Sequence, residues 1–400
     1  MSKGELPDVS HPDTFAKGFP HEVFARLRRE APVCWHEGDY EGGRGYWIIS
    51  RYRTIKAISR RPMLFSSAAG TSIEDSRGDF VSMIGMDPPD HRRYRALVSS
   101  GFTPSRIHAQ LSQHREIVKS ILDAVMDRGR CDFVVDVAAE LPLRVIADLL
   151  GVPQSACHRI FDWSNRMIGS QDPEYVVSLE EAASAAQEMF VFANRLAEDR
   201  LAKPRDDLMS AILHGEVGGQ RLNAMEFDSF FLLLAVAGNE TTRNLISHGL
   251  LLLLDHPDAL ARLREDPSLL PGAVEEMLRF RSPVIYMRRT ALEDTELEGQ
   301  RIRKGDKLLL YYPSANRDEQ EFERPDVFDI ERRDNHHLAF GIGEHFCLGT
   351  HLARLETRVM FEGILARMHD LELDGPVSYL RSNLIDGVKH IPLRFTAAST

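Results

Sequence analysis

The chain is predicted to be mainly α with a smaller β-rich lobe, as a single domain over residues 1–400. Three observations carry this. From about 91 to 280, Leu, Ala, Ile and Val recur at spacings of three and four, punctuated by Pro142, Pro153, Pro173, Pro204, Pro257 and Pro271. Runs rich in aromatic and β-branched residues fall near 31–60, 284–312 and 371–396, so the strands come from both ends of the chain. No repeat and no Gly/Ser linker divides the sequence.

Taken in order, "HEVFARLRRE" (21–30) has helical spacing, and "YWIISRY" (46–52) reads as strand after the turn "EGGRG". Within the helical stretch the most apolar run is "FFLLLAVAG", Phe230 to Gly238. It is too short to span a bilayer and soon meets "NETTR", so it reads as a buried helix. "VIYMRRT", "TELEGQRIRKGDKLLLYYPS" and "KHIPLRF" read as strands and hairpins. "LGTHLARLETRVMFEGILARM" returns to helix over about 348–369, with Leu348, Leu352, Leu355 and Val359 on one face.

Composition bounds the function. The chain is 43% apolar and 27% charged, with a net charge of −11, which argues against a general nucleic-acid binder. Cys34, Cys131, Cys157 and Cys347 show no CxxC spacing, so neither a zinc site nor a disulfide framework is expected, and a reducing compartment is. The first twenty residues hold no apolar run that would serve as signal peptide or membrane anchor. A cytoplasmic monomer is expected.

Chemistry concentrates in four segments. In "AFGIGEHFCLG" (339–349), Phe340, Gly343, Cys347 and Gly349 form F-x-x-G-x-x-x-C-x-G, with His345 two residues before the sulfur. Glycines let backbone N–H groups approach a thiolate, and the helix that starts at or just after Cys347 would favour negative charge there. A lone cysteine packed in a glycine turn is the alternative. In "AGNETT" (237–242), Glu240, Thr241 and Thr242 are costly to bury without partners, and Gly238 would let the helix kink or widen. In "EEMLR", Glu276 and Arg279 sit three apart on one helical face, an arrangement also common as an ordinary surface pair. In "DPPDHRRYR", His91 and Arg95 sit four apart and face one side, which equally describes a solvated basic helix.

Together, in this order and at these spacings, the segments resemble the cytochrome P-450 family of haem-thiolate monooxygenases over nearly the whole chain. The resemblance implies the P-450 fold, with haem b between a distal helix and the cysteine loop, and Cys347 as the iron ligand. It implies that Glu240 and Thr241 organise proton delivery, and that Glu276, Arg279 and Arg332 of "PDVFDIER" form a structural triad under the loop. His91, Arg95, Arg289 and His345 would bind the haem propionates, with Phe340 and Gly349 beside the cofactor; the neighbouring Arg288 competes with Arg289 for that role. By family position Leu233, Ala237, Ile285 and parts of 66–86 and 161–190 would line the substrate pocket.

The implied reaction is insertion of one oxygen atom from O2 into a C–H or C=C bond of a hydrophobic small molecule. "VAGNETTRNLISHG", "SPVIYMRRT" and "SANRDE" resemble a bacterial branch acting on terpenoids, steroid side chains and methyl-branched lipids. Tailoring of a polyketide is the alternative within the enzyme class, and a haem-binding sensor or carrier the alternative outside it. A peroxygenase is disfavoured by the Glu240–Thr241 pair. With no flavin or iron–sulfur module visible, electrons are expected from a ferredoxin and its reductase. Arg92, Arg93, Arg106, Arg333, Arg354 and Arg358 are either its docking surface or scattered surface charges.

Overall fold

The computed structural model describes residues 8–37, 45–74, 82–176 and 178–398. Most of the turn expected at 41–45, and residues 75–81 of the expected pocket stretch, lie outside them. The architecture is mainly α with small sheets.

The principal sheet has five strands in the order Val33–His36, Tyr46–Ile49, Lys307–Tyr311, Tyr286–Ala291 and Phe65–Ser66. Lys307–Tyr311 pairs in parallel with Tyr46–Ile49 and antiparallel with Tyr286–Ala291, with Leu308 opposite Arg289. Distant parts of the chain therefore meet in one sheet, as the strand-like runs imply. Its sides are covered by two small apolar cores, one around Trp47, Ile55 and Leu308 and one around Phe24, Tyr286 and Leu309.

A larger core lies among the helices. The prolines act as helix starters: Pro257 and Pro271 occupy the first turns of Pro257–Glu265 and Leu270–Phe280, where a missing N–H costs no bond. Two features escaped the period-based reading of 91–280. Arg130–Asp132 is a strand that joins the C-terminal pair Met368–Leu373 and Pro392–Ala397, and residues 216–221 form a short hairpin. Both are too short to show alternation.

The long helix Ala224–Asp255 runs 32 residues through the centre. Its start is fixed by a capping box in which the Asn223 side chain accepts from Glu226 N–H and the Glu226 carboxylate accepts from Asn223 N–H. The widening expected near Gly238 does not occur; the segment is α-helical throughout. The glycine serves packing instead. A Cβ there would lie 2.9 Å from Ile146 Cδ1, so Gly238 lets helix Glu140–Leu150 cross closely.

Candidate active site

The cysteine loop is shaped by Gly341 and Gly343, whose φ angles of +68° and +80° disfavour any side chain. At Gly343 a Cβ would also stand 2.4 Å from the Ser59 carbonyl oxygen. Cys347 N–H donates to Phe340 O at 2.9 Å, closing the loop, and helix Thr350–Arg367 begins directly after Gly349. Burial raises the Cys347 thiol above its ordinary value, opposed by a hydrogen bond from Gly349 N–H and by the charges of Arg95 and Arg354. A Cβ on Gly349 would meet no protein atom within 4 Å, so protein packing does not itself demand glycine there.

Around the loop stands a set of cations and donors. His91, on helix Asp90–Ser99, is buried, and its ring lies 4.2 Å from that of His345. Arg95, one turn on, donates to Phe346 O at 2.7 Å. Arg289 is buried on strand Tyr286–Ala291 and donates to Arg288 O at 2.7 Å. Burial pushes His345 down to about 3, reinforced by Arg289, His91 and Arg95. The two neighbouring arginines of this strand are placed differently. The Arg288 guanidinium bonds Glu74 O and Thr290 Oγ1, whereas Arg289 lies close enough to His345 to be the strongest charge acting on it. Among the described residues no carboxylate hydrogen-bonds Arg95 or Arg289; Glu344 is held by Arg92 at 2.5 Å, and Asp87 accepts from Ser66 and from Ser67 N–H.

Beneath the loop, Glu276 and Arg279 are both fully buried and joined by two 2.7 Å bonds. Arg279 spends its remaining donors on Asn316 O, Pro325 O and Val327 O, while Arg332 Nε and Asn335 Nδ2 complete Glu276. Sequence reasoning missed the second support. Glu275 accepts from Arg354 at 2.6 and 2.7 Å and pairs with His337 at 3.2 Å. Arg354 also lies 4.7 Å over the Phe340 ring, so this arginine braces the loop and is not a free docking charge. The adjacent acid in "EEMLR" was the available signal.

On the long helix, Leu233, Ala237 and Thr241 recur every four residues; Ala237 is exposed and the other two are half-buried. Thr241 Oγ1 donates to Ala237 O at 2.9 Å. Glu240 is buried; it accepts from Arg243 and from Asn244 Nδ2, leaving Oε2 without a partner. Arg243 in turn donates to Asn165 Oδ1 at 2.7 Å on helix Cys157–Ile168. Glu240 and Thr241 are thus separately engaged. Arg243 and Asn244 were missed, although a cation three positions after a buried acid is a recognisable pairing signal. Ile285 differs from the other expected pocket residues: it is 1% exposed within the small core around Tyr286 and Leu309.

The cytochrome P450 family profile matches residues 143–375. The chain belongs to the cytochrome P450 family. Its curated relatives include a steroid C26-monooxygenase of Rhodococcus jostii, 39% identical over 98% of this chain and 85% of the relative. A linalool 8-monooxygenase of Pseudomonas putida is 38% identical over 97% of this chain and 98% of its own length. A methyl-branched lipid omega-hydroxylase of Mycobacterium tuberculosis is 42% identical over 94% of this chain and 90% of its own. Among solved structures, a Mycobacterium marinum cytochrome P450 in complex with pseudoionone superposes with a TM-score of 0.92 at 35% identity, covering 98% of this chain and 100% of that one.

P450 proteins are haem-thiolate monooxygenases that bind haem b through a cysteine thiolate, take O2, and draw electrons from a redox partner. The residues present fit such a group. Arg95 and Arg289, hydrogen-bonded by no carboxylate among the described residues, stand beside His91 and His345 and have the chemistry that paired carboxylates would need. The open Cβ direction of Gly349 leaves room for a flat ring over the loop. A bound metal cation would reverse the protonation that burial imposes on Cys347. No helix among the described residues is long and apolar enough to cross a membrane.

Proposed function

We propose that this P450 uses Cys347 as its iron ligand and hydroxylates, or epoxidises, a terpenoid, steroid or branched lipid, with electrons from a ferredoxin and its reductase. The observation that carries the site assignment is the convergence of Cys347 with Arg95, Arg289, His91 and His345, in which no carboxylate among the described residues hydrogen-bonds Arg95 or Arg289, while His91 stands 3.6 Å from the Glu344 carboxylate that Arg92 holds. Haem b supplies the activation of dioxygen; the chain supplies everything that positions it.

In this reading His91, Arg95, Arg289 and His345 bind the two haem carboxylates, Arg95 and Arg289 by charge and His91 and His345 as hydrogen-bond donors. Gly349 N–H holds the sulfur, while Phe340, clamped by Arg354, fixes the loop from below. Leu233 and Ala237 present an apolar surface to the substrate and Thr241 the hydroxyl beside it. For proton delivery Thr241 must rotate its O–H from Ala237 O toward the reacting oxygen, and Glu240 must resupply the proton through its unpartnered Oε2 or a water bound to it. Three relatives named for steroid, linalool and methyl-branched lipid oxidation support the substrate class.

Five of the six candidate docking arginines have acidic partners: Arg92 with Glu344, Arg93 with Asp90, Arg106 with Asp206, Arg354 with Glu275 and Arg358 with Glu362. Arg333 is exposed, so a ferredoxin would meet a surface of paired charges rather than a bare basic patch. A cytoplasmic, monomeric enzyme accords with this reading.

The test is the reduced, CO-bound absorption spectrum of Cys347→Ala beside wild type. Loss of the thiolate signature is expected; an unchanged spectrum sinks the ligand assignment. A panel of terpenoids, steroids and branched fatty acids, screened by the shift in haem absorption, then ranks the substrate class. Absence of any shift across the panel would refute it.

A further inference from the structure

The segment Gly169–Val176 joins helix Cys157–Ile168 to helix Leu179–Ala202, and it is fastened to the C-terminal strands by an unusual set of charges. His390 is the centre. Its Nδ1 lies 2.5 Å from Asp132 Oδ2 and its Nε2 lies 2.6 Å from Glu174 Oε1. A neutral imidazole has one donor and one acceptor nitrogen, so it satisfies only one of two carboxylates; facing both requires the imidazolium.

Both carboxylates have further donors. Asp132 Oδ1 already accepts from Val134 N–H and Ile391 N–H, and Glu174 Oε2 faces Lys389 Nζ at 2.5 Å. The other charges around the ring fit the same arrangement. Lys389 also reaches buried Asp172 at 3.1 Å, and Asp136, from the turn packed under this strand, is held by Arg128. A second tie lies farther along the loop, where Arg381 N–H donates to Asp172 Oδ2 at 2.8 Å and Arg381 Nη1 to Gln171 O at 2.5 Å.

We propose that His390 is a pH-sensitive clasp, whose imidazolium binds Asp132 and Glu174 and holds Gly169–Val176 down on the C-terminal strands. When the ring loses its second proton, one of the two carboxylates loses that donor; Asp132 keeps Val134 N–H and Ile391 N–H, whereas Glu174 then depends on Lys389 alone. Lys389 and Arg381 keep Asp172, so the loop loosens without departing. Burial opposes the charged ring, but its hydrogen bonds to Glu174 and Asp132 outweigh that and hold His390 above its ordinary 6.5. The clasp is therefore closed at and below that value and lost as pH rises through the raised one.

The consequence for the enzyme lies on the inner side of the loop. Tyr175, next to Glu174, is within electrostatic reach of Arg243 and Glu240. Its ring is packed so closely on Gly169 that a Cβ there would stand 2.4 Å from it. Loosening Glu174 therefore frees a segment of the 161–190 stretch, and entry of hydrophobic ligands should quicken. This last step rests on the proposed pocket.

Hydrogen exchange of the haem-loaded enzyme, corrected for intrinsic rates, tests the clasp at about pH 6.5 and about pH 9. Peptides over 169–176 should lose about threefold in protection at the higher pH, the scale set by a half-exposed charge pair. His390→Gln and Glu174→Gln should show the loosened level at both values. Equal protection at both pH values in wild type, or wild-type pH dependence in either variant, would overturn the clasp. Binding of a phenylpyridine, followed by haem absorption, should likewise be about threefold faster at the higher pH. If exchange changes and binding does not, the loop does not govern entry. The exchange arm needs no haem signal, so failure of the haem-site reading leaves it intact as a test.

Discussion

Replacing Arg279 with methionine should unfold much of this protein's stability margin. The side chain is fully buried, and all five of its N–H groups are used: two on Glu276, one each on Asn316 O, Pro325 O and Val327 O. Breaking one side of a buried pair costs about 3–5 kcal/mol. Arg332 Nε, Asp329 N–H and Asn335 Nδ2 still serve Glu276, which places the charge contribution toward the lower end. Val327 O keeps Arg332 Nη2, but among the described residues no second side-chain donor reaches Pro325 O or Asn316 O, and each orphaned carbonyl costs about 1–3 kcal/mol. The sum is about 5–9 kcal/mol, against a total of about 5–15 kcal/mol for a natural domain. Urea denaturation followed by circular dichroism, with haem content measured in parallel, is the assay. A loss below about 1 kcal/mol with full haem occupancy would refute the idea that this pair holds the loop's foundation.

Thr241→Ala should load haem normally yet divert reducing equivalents into peroxide, read as peroxide formed per NAD(P)H consumed; fully coupled turnover would remove Thr241 from proton delivery. Gly343→Ala combines φ +80° with a backbone clash on Ser59 O, so a loss of at least about 1–3 kcal/mol and lower haem retention are expected in thermal melts. His248 is buried against Asp386 O and pushed by burial to about 4. The unfolded chain takes up this proton near 6.5 and the folded one only near 4, so stability falls on acidification through that window, by up to about 1.4 kcal/mol per pH unit. Urea midpoints at about pH 7 and about pH 5 should converge in His248→Gln, and an equal acid loss in wild type and variant would exclude this residue as the cause.

What the sequence made legible was chemistry that admits few residue types. A sulfur approached by backbone needs glycines at fixed offsets, and a buried acid needs a cation on the same helical face, yet each spacing alone also fitted a packed cysteine or a surface pair; Cys347, Gly343, Glu276 and Arg279 stood out through the resemblance of all the segments together. Strands of two or three residues, such as Arg130–Asp132, carry no period and were invisible. Gly238 was read through its helix propensity, whereas its place against Ile146 is decided by a tertiary crossing. The same applies to Arg354, whose partner Glu275 is 79 positions away and whose second contact is the Phe340 face. Charge counts along a sequence cannot distinguish a brace from a docking group.

The two sides of the site are balanced differently, and this bears on how the enzyme is assembled. Near Cys347, Arg95 and Arg289 are hydrogen-bonded by no carboxylate among the described residues, so paired carboxylates would find two guanidinium partners there. At Glu240 the charge is already answered by Arg243, and through Asn165 that answer reaches a neighbouring helix. Cofactor binding should therefore be felt mainly on the proximal side, as added stability of the cysteine loop and of helix Asp90–Ser99. Motion of helix Cys157–Ile168 should be felt mainly on the distal side, because shifting Asn165 withdraws an acceptor from Arg243 and strengthens its hold on Glu240. Under the proposed function, the acid of the relay is thus tied to helix Cys157–Ile168, and two hydrogen bonds would give substrate-dependent coupling a physical route.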